Sequence, residues 1–209
     1  MKALLRSLEA GGVVAIATES FFGLLADATS PAALDALFSL KPRGADKSVG
    51  LILPWPEAWP SLVVEIPVAA HALGSALWPG PLSIALPAAP SLDPRLSPSG
   101  TIAVRDPGPC PARELARAFG RPLTATSANQ PGAPPATRDA EVRAAFGPGI
   151  ADGRLTVVPG ESPGGQPSTL VVVESGSVRL LRSGAVPVSA LSDVLGPLGV
   201  HLDGVPSPG

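Results

Sequence analysis

Val13-Val-Ala-Ile-Ala-Thr-Glu-Ser-Phe-Phe-Gly-Leu24 decides the fold class. Its first five residues are an unbroken apolar run, and a run this short reads as a strand covered on both faces. Thr18, Glu19 and Ser20 follow directly. Ligands of open α/β sheets sit where strands end, so Thr18 is a candidate ligand contact. The alternative is an ordinary turn whose hydroxyls bond to the backbone.

Outward from this stretch, helix and strand signals alternate. Ala3 to Glu9 has helical spacing of apolar residues and stops at Gly11-Gly12. Ser30-Pro31 pairs an N-cap hydroxyl with proline at the first helical position, predicting a helix to Leu40. Further strands are expected at 49–53, 82–86, 101–105, 123–126 and 155–158. Residues 168–173 and 177–182 read as a hairpin joined by Glu174-Ser-Gly176. Helices are expected at 67–77, at 111–119 closed by Gly120, at 138–146 capped by Thr137, and at 188–195. Trp55 and Trp59 read as packing residues. Leu92 to Gly100 is a proline-rich loop and a candidate lid or specificity loop. The fold class is therefore α/β of mixed α+β character: one domain, residues 1–196, with a twisted mixed sheet flanked by helices. Residues 197–209 read as a flexible C-terminal tail.

The stretch Lys41-Pro-Arg-Gly-Ala-Asp-Lys47 lies between a predicted helix and a predicted strand. Of fifteen basic residues in the chain only three are lysines, and two of those are here with Arg43 between them. A solvated basic loop is the simple reading. The sharper one is a grip on a phosphate chain, with lysines as point charges and arginine as a planar fork.

A hydroxyl, amide or guanidinium also recurs at the ends of predicted strands: Thr18, Thr101, Arg105, Ser127, Asn129, Ser168 and Arg182. Together with Lys41, Arg43 and Lys47 these could line one crevice that offers cations and donors without a clear nucleophile. Such a site suits substrates that react with each other while the protein positions them and neutralises phosphate charge.

Composition narrows the function classes. The chain has 209 residues and a formal charge of −2, which argues against strong non-specific nucleic-acid binding. Cys110 is the single cysteine, so there is no internal disulfide and no multi-cysteine zinc site. His71 and His201 have no partner pattern, and a dedicated protein cage for metal is not expected. No signal peptide or apolar span of membrane length is found; a cytoplasmic setting is expected. The chain contains no G-x-x-x-x-G-K-[ST], no G-x-G-x-x-G after a strand and no G-x-S-x-G.

The segments Thr18-Glu-Ser-Phe-Phe-Gly-Leu24, Lys41-Pro-Arg43 with Lys47, Trp78-Pro-Gly-Pro-Leu-Ser83, Ile102-Ala-Val-Arg-Asp-Pro107, Pro122-Leu-Thr-Ala-Thr-Ser-Ala-Asn-Gln-Pro-Gly132, Pro167-Ser-Thr169 and Leu181-Arg-Ser-Gly184 resemble, in order and spacing, the YrdC/Sua5 family. The likeness runs from about residue 10 to 186. It implies an L-threonylcarbamoyladenylate synthase, a nucleotidyltransferase joining L-threonine, bicarbonate and ATP into threonylcarbamoyl-AMP with release of pyrophosphate. The product serves N6-threonylcarbamoyladenosine formation at tRNA position 37, through the tRNA threonylcarbamoyl transferase machinery. The resemblance also implies site roles. Arg43, Lys47, Thr101, Asn129, Thr137 and Arg182 would face ATP. Thr18, Arg105, Ser127 and Ser168 would face threonine. Lys41, with Arg43 and Lys47, would form the catalytic cation set, and Mg2+ would be held by ATP phosphates with no protein ligand. The chain departs from the family pattern at Glu19, where aspartate is usual, at Phe22 for tyrosine, at Pro131 for serine, and at Ile52, near which some relatives carry histidine. Three alternatives stand beside the synthase: a non-catalytic module for double-stranded RNA or tRNA, of which a weak tRNA contact is the milder form; a paralogue of altered acyl specificity; and a carbamoyl-transfer partner in hydrogenase maturation.

Overall fold

The structure, a computed structural model, describes residues 1–42 and 48–204. The chain runs through α1 (Lys2–Glu9), β1 (Val13–Ala17), β2 (Phe22–Leu25), α2 (Pro31–Leu40) and β3 (Gly50–Ile52). It continues through a 3-10 turn (Pro56–Ser61), α3 (Val68–Leu77), β4 (Leu82–Pro87), β5 (Thr101–Arg105), α4 (Pro111–Phe119) and β6 (Leu123–Ser127). Then come α5 (Asp139–Ala145), α6 (Gly147–Ala151), β7 (Leu155–Val157), β8 (Thr169–Glu174), β9 (Ser177–Arg182), α7 (Val188–Leu195) and β10 (His201–Asp203).

The strands form one mixed ten-stranded sheet in the order β10-β9-β8-β4-β5-β3-β6-β2-β1-β7. β1 shows why the opening stretch is apolar without a break: all five of its residues are buried. Side chains alternate across a strand. Val13, Ala15 and Ala17 enter the large core with Leu34 and Leu37 of α2, Leu73 of α3 and Leu191 of α7. Val14 and Ile16 enter a smaller core with Leu8 of α1 and Leu115 of α4. The larger core covers one face of the sheet, and α1 and α4 cover one end of the other.

Local chemistry sets the element boundaries. Ser30 caps α2, its hydroxyl accepting from the Ala33 amide at 3.3 Å, with Pro31 in the first turn. Gly120 ends α4 in the left-handed region at φ 75°, which glycine adopts without a Cβ penalty. Trp59 is buried and packs edge-on against Trp78 at 5.0 Å, while Trp55 is exposed. The 92–100 loop is docked: Leu96 is fully buried, its carbonyl accepts from the Val49 amide at 2.9 Å, and Arg95 pairs with Asp93 and Asp35.

Four expectations need correction. Residues 22–25, given no element, form β2, which pairs antiparallel with β1 and buries Phe22. Thr137 does not cap α5: Arg138 is the N-cap residue, and Glu141 reaches back to accept from the Thr137 amide at 2.8 Å. Residues 147–151, given no element, form α6. The tail expected from residue 197 instead enters the sheet, with His201–Asp203 pairing parallel to β9.

Gly184 shows how tightly the strand ends are fitted. A Cβ there would lie 2.6 Å from backbone atoms of Ser168 and Thr169 and would also strike the Pro167 carbonyl. Backbone cannot yield as a flexible side chain would. Gly184→Ala is expected to destabilise the fold by about 1–3 kcal/mol, read as a lower urea midpoint at unchanged m; an unchanged midpoint would show that the two segments do not pack this closely.

Candidate active site

A cavity of about 710 Å3 lies on the part of the sheet face that α1 and α4 leave open. Leu25 and Ile52 belong both to its wall and to the smaller core. The site is thus built on a sheet face, and the expected crevice at strand ends is only its rim. Alternate residues of β4 and β5 face it, Ser83 and Ala85 from the first and Thr101, Ala103 and Arg105 from the second; β6 adds Ala125, Thr126 and Ser127, and β8 adds Leu170. The intervening Ile84, Ile102 and Val104 go to the large core. Small residues make the floor. Ala85 sits opposite Ala103, Gly50 opposite Ala125, and Gly23 opposite Ser127 across neighbouring strands. Where side chains are this short, room is left above the sheet.

One wall is fixed by Lys41. It is buried, and its Nζ donates to the Ser127 carbonyl at 2.6 Å, to Ser127 Oγ at 3.2 Å and to Asn129 Oδ1 at 3.0 Å. Ser127 Oγ donates to Asn129 Oδ1 at 2.5 Å, and Asn129 Nδ2 donates to the Ala133 carbonyl. Lys41 therefore holds the turn after β6 in shape. Arg43 and Lys47 lie outside the described residues.

The opposite wall carries two guanidinium groups. Arg182 donates to the Ser168 carbonyl through Nε at 3.1 Å and Nη2 at 2.9 Å, and to Ser168 Oγ at 3.0 Å. Ser168 Oγ also meets Ser83 Oγ at 2.9 Å. Arg105 is paired through Nη1 with Glu19 at 2.8 Å. Among the described residues Arg182 has no carboxylate partner. Desolvation, and next the charge of Arg105, push the Arg182 guanidinium below its ordinary value, though guanidinium keeps its proton at neutral pH. An anion placed between the two would relieve that strain.

The remaining candidates divide. Thr101 lines the cavity with Ser99, its hydroxyl 3.1 Å from Ser99 Oγ. Thr18 lines it too, but its hydroxyl donates to the Phe21 carbonyl at 2.7 Å and accepts from the amides of Ser20 and Phe21. A hydroxyl has one proton and two lone pairs, so Thr18 shapes its own turn, as the simpler reading held. Thr137 is not among the lining residues; its amide and hydroxyl face Glu141. Ser83, Ala85, Ala103, Ala125, Gly50 and Gly23 escaped the sequence reading. Their signal was available as the period-two spacing Ser83-x-Ala85, Thr101-x-Ala103-x-Arg105 and Ala125-x-Ser127. Among the described residues no group of three or more His, Cys, Asp or Glu is arranged to hold a metal ion, and no helix is long and apolar enough to cross a membrane.

Fold and site together define an α/β protein with a cationic, hydroxyl-lined ligand cavity on the face of a mixed sheet. A family model named for Sua5, YciO and YrdC and described as "Telomere recombination" matches residues 6–184, and the chain belongs to that family. A Mycobacterium tuberculosis relative is 36% identical over 191 residues, 91% of this chain and 86% of its own. The threonylcarbamoyl-AMP synthase of Thiobacillus denitrificans is 36% identical over 173 residues, 82% of this chain and 89% of its own. A crystal structure of Pyrococcus abyssi Sua5 complexed with L-threonine superposes with a TM-score of 0.81 at 30% identity. That match covers 96% of this chain, which spans 58% of the archaeal protein.

Lys41→Met removes the buried ammonium that ties the Ser127 carbonyl and Asn129 Oδ1 to the end of α2. Loss of about 1–3 kcal/mol is expected in urea unfolding. A surface lysine would cost within about 0.5 kcal/mol, and a change that small would refute the anchoring role.

Proposed function

We propose that this chain is a threonylcarbamoyl-AMP synthase, joining L-threonine, bicarbonate and ATP into threonylcarbamoyl-AMP and pyrophosphate. The observation that carries the reading is that the Lys41-fixed turn of Ser127 and Asn129 faces Arg105 and Arg182 within one cavity, across a floor of glycine and alanine. The relatives named for this activity, and the threonine complex of a longer relative, support it.

In this reading the amino-acid carboxylate meets the open edge of Arg105, since a planar fork suits a carboxylate. The phosphate chain of ATP lies between Asn129 and Arg182, near Thr101, with Arg43 and Lys47 as further cations. The threonine amine and bicarbonate form a carbamate with loss of water; a carbamate oxygen attacks the α-phosphorus, and the bond to pyrophosphate breaks as positive groups offset the leaving charge. The protein positions both reactants; none of its side chains forms a covalent bond to them. Mg2+ enters as part of the nucleotide, held by its phosphates, which fits a cavity lined by hydroxyls and cations more than carboxylates. Transfer of the product to a tRNA-modifying machinery follows from the same proposal.

The test is pyrophosphate release by the purified chain with ATP, Mg2+ and bicarbonate, with and without L-threonine. Release should require threonine, and Arg182→Ala should lower kcat/KM by roughly a hundredfold or more. Release that ignores threonine contradicts the assignment.

A further inference from the structure

The structure gives Glu19 a definite place. It follows Thr18 in the turn after β1, and it is not among the residues lining the cavity. Its Oε1 accepts from Nη1 of Arg105 at 2.8 Å. Its Oε2 faces the Sγ of Cys110, the residue that opens α4, at 3.8 Å. The Cys110 thiol is buried and pushed above its ordinary value by that burial, with the Glu19 charge adding to the effect. It therefore keeps its proton and faces Glu19 as a weak donor. Both side chains of the ion pair are largely shielded, 11% exposed for Arg105 and 16% for Glu19. The contact to Glu19 is the one hydrogen bond of the Arg105 side chain among the described residues. The other N–H groups of the fork are left for the cavity.

Resting on the synthase reading, we propose that Glu19 is a positioning residue for the substrate carboxylate. It holds Arg105 from behind, and so sets the direction in which the open edge of the guanidinium meets threonine. Its length matters. An aspartate would end about 1.5 Å short and could not touch Arg105 and Cys110 together from this backbone. Glu19 also limits the charge of this wall. Of the two guanidinium charges there, it offsets that of Arg105 and leaves that of Arg182 to the phosphate chain.

The experiment compares wild type, Glu19→Gln and Glu19→Asp by calorimetric L-threonine binding, by KM for threonine and for ATP in the pyrophosphate assay, and by thermal unfolding. Glu19→Gln should raise the threonine Kd and KM about tenfold, as expected when a charge-assisted hydrogen bond becomes neutral. The ATP KM and Tm should stay near wild type, and Glu19→Asp should recover part of the loss by restoring the charge. A parallel rise of both KM values with a fallen Tm would assign Glu19 a structural role only and overturn the proposal. Unchanged or tighter threonine binding in Glu19→Gln would also overturn it. If wild type binds threonine yet releases no pyrophosphate, the synthase reading fails and the calorimetric comparison alone decides the role of Glu19. If wild type binds no threonine, both fall.

Discussion

Two arginines share one wall of the cavity, and among the described residues only one carboxylate answers them. Glu19 neutralises Arg105, while Arg182 is held by the carbonyl and hydroxyl of Ser168. Charges of like sign set beside each other raise the free energy of the empty site and lower that of a site holding an anion. Much of the surrounding structure serves to keep that arrangement in place. Asp106, fully buried, is gripped by Arg113 at 2.8 and 3.0 Å, and the Asp106 carbonyl takes the Gly80 amide at 2.9 Å. The residue next to Arg105 thus cannot drift. Gly184 lets the chain leave β9 close against Ser168, which brings the Arg182 fork within reach of it.

Segments far apart in sequence turn out to be bonded in pairs. Lys41 joins the helix end to Ser127 and Asn129. Arg105 joins β5 to Glu19. Ser168 joins Ser83 and Arg182. Each segment by itself has an ordinary explanation, such as a turn or a surface arginine. Bonded together around one cavity, they gather three cations, Lys41, Arg105 and Arg182, about a single space.

Much of the fold was legible because period and punctuation agree. β1, β5, α2, α4, β9 and α7 fall where apolar runs, Ser30-Pro31 and Gly120 place them. What escaped was set by long-range contact. β2 is four residues that become a strand by pairing with β1 and β6. β10 exists through β9. The site was legible in its residue types and less so in its geometry. Reading Thr18, Arg105 and Ser127 as strand ends found the rim, but the floor is written in absent side chains at Gly50, Ala103 and Ala125, which announce nothing unless the alternation is followed along several strands at once. Lys41 stood out in the sequence, but its hold on Ser127 and Asn129 did not. Sequence shows a scarce charge, and only the fold shows that its ammonium turns inward to a carbonyl.

The central claim is that one cavity holds nucleotide and amino acid side by side, each met by its own arginine. A crystal structure of the chain with L-threonine and a non-hydrolysable ATP analogue measures this directly. The threonine carboxylate should lie within hydrogen-bonding distance of Arg105, with the phosphate chain between Asn129 and Arg182 above the Gly50 and Ala103 floor. Finding either ligand outside the cavity, or both inside it with Arg105 and Arg182 still touching only Glu19 and Ser168, would contradict the account.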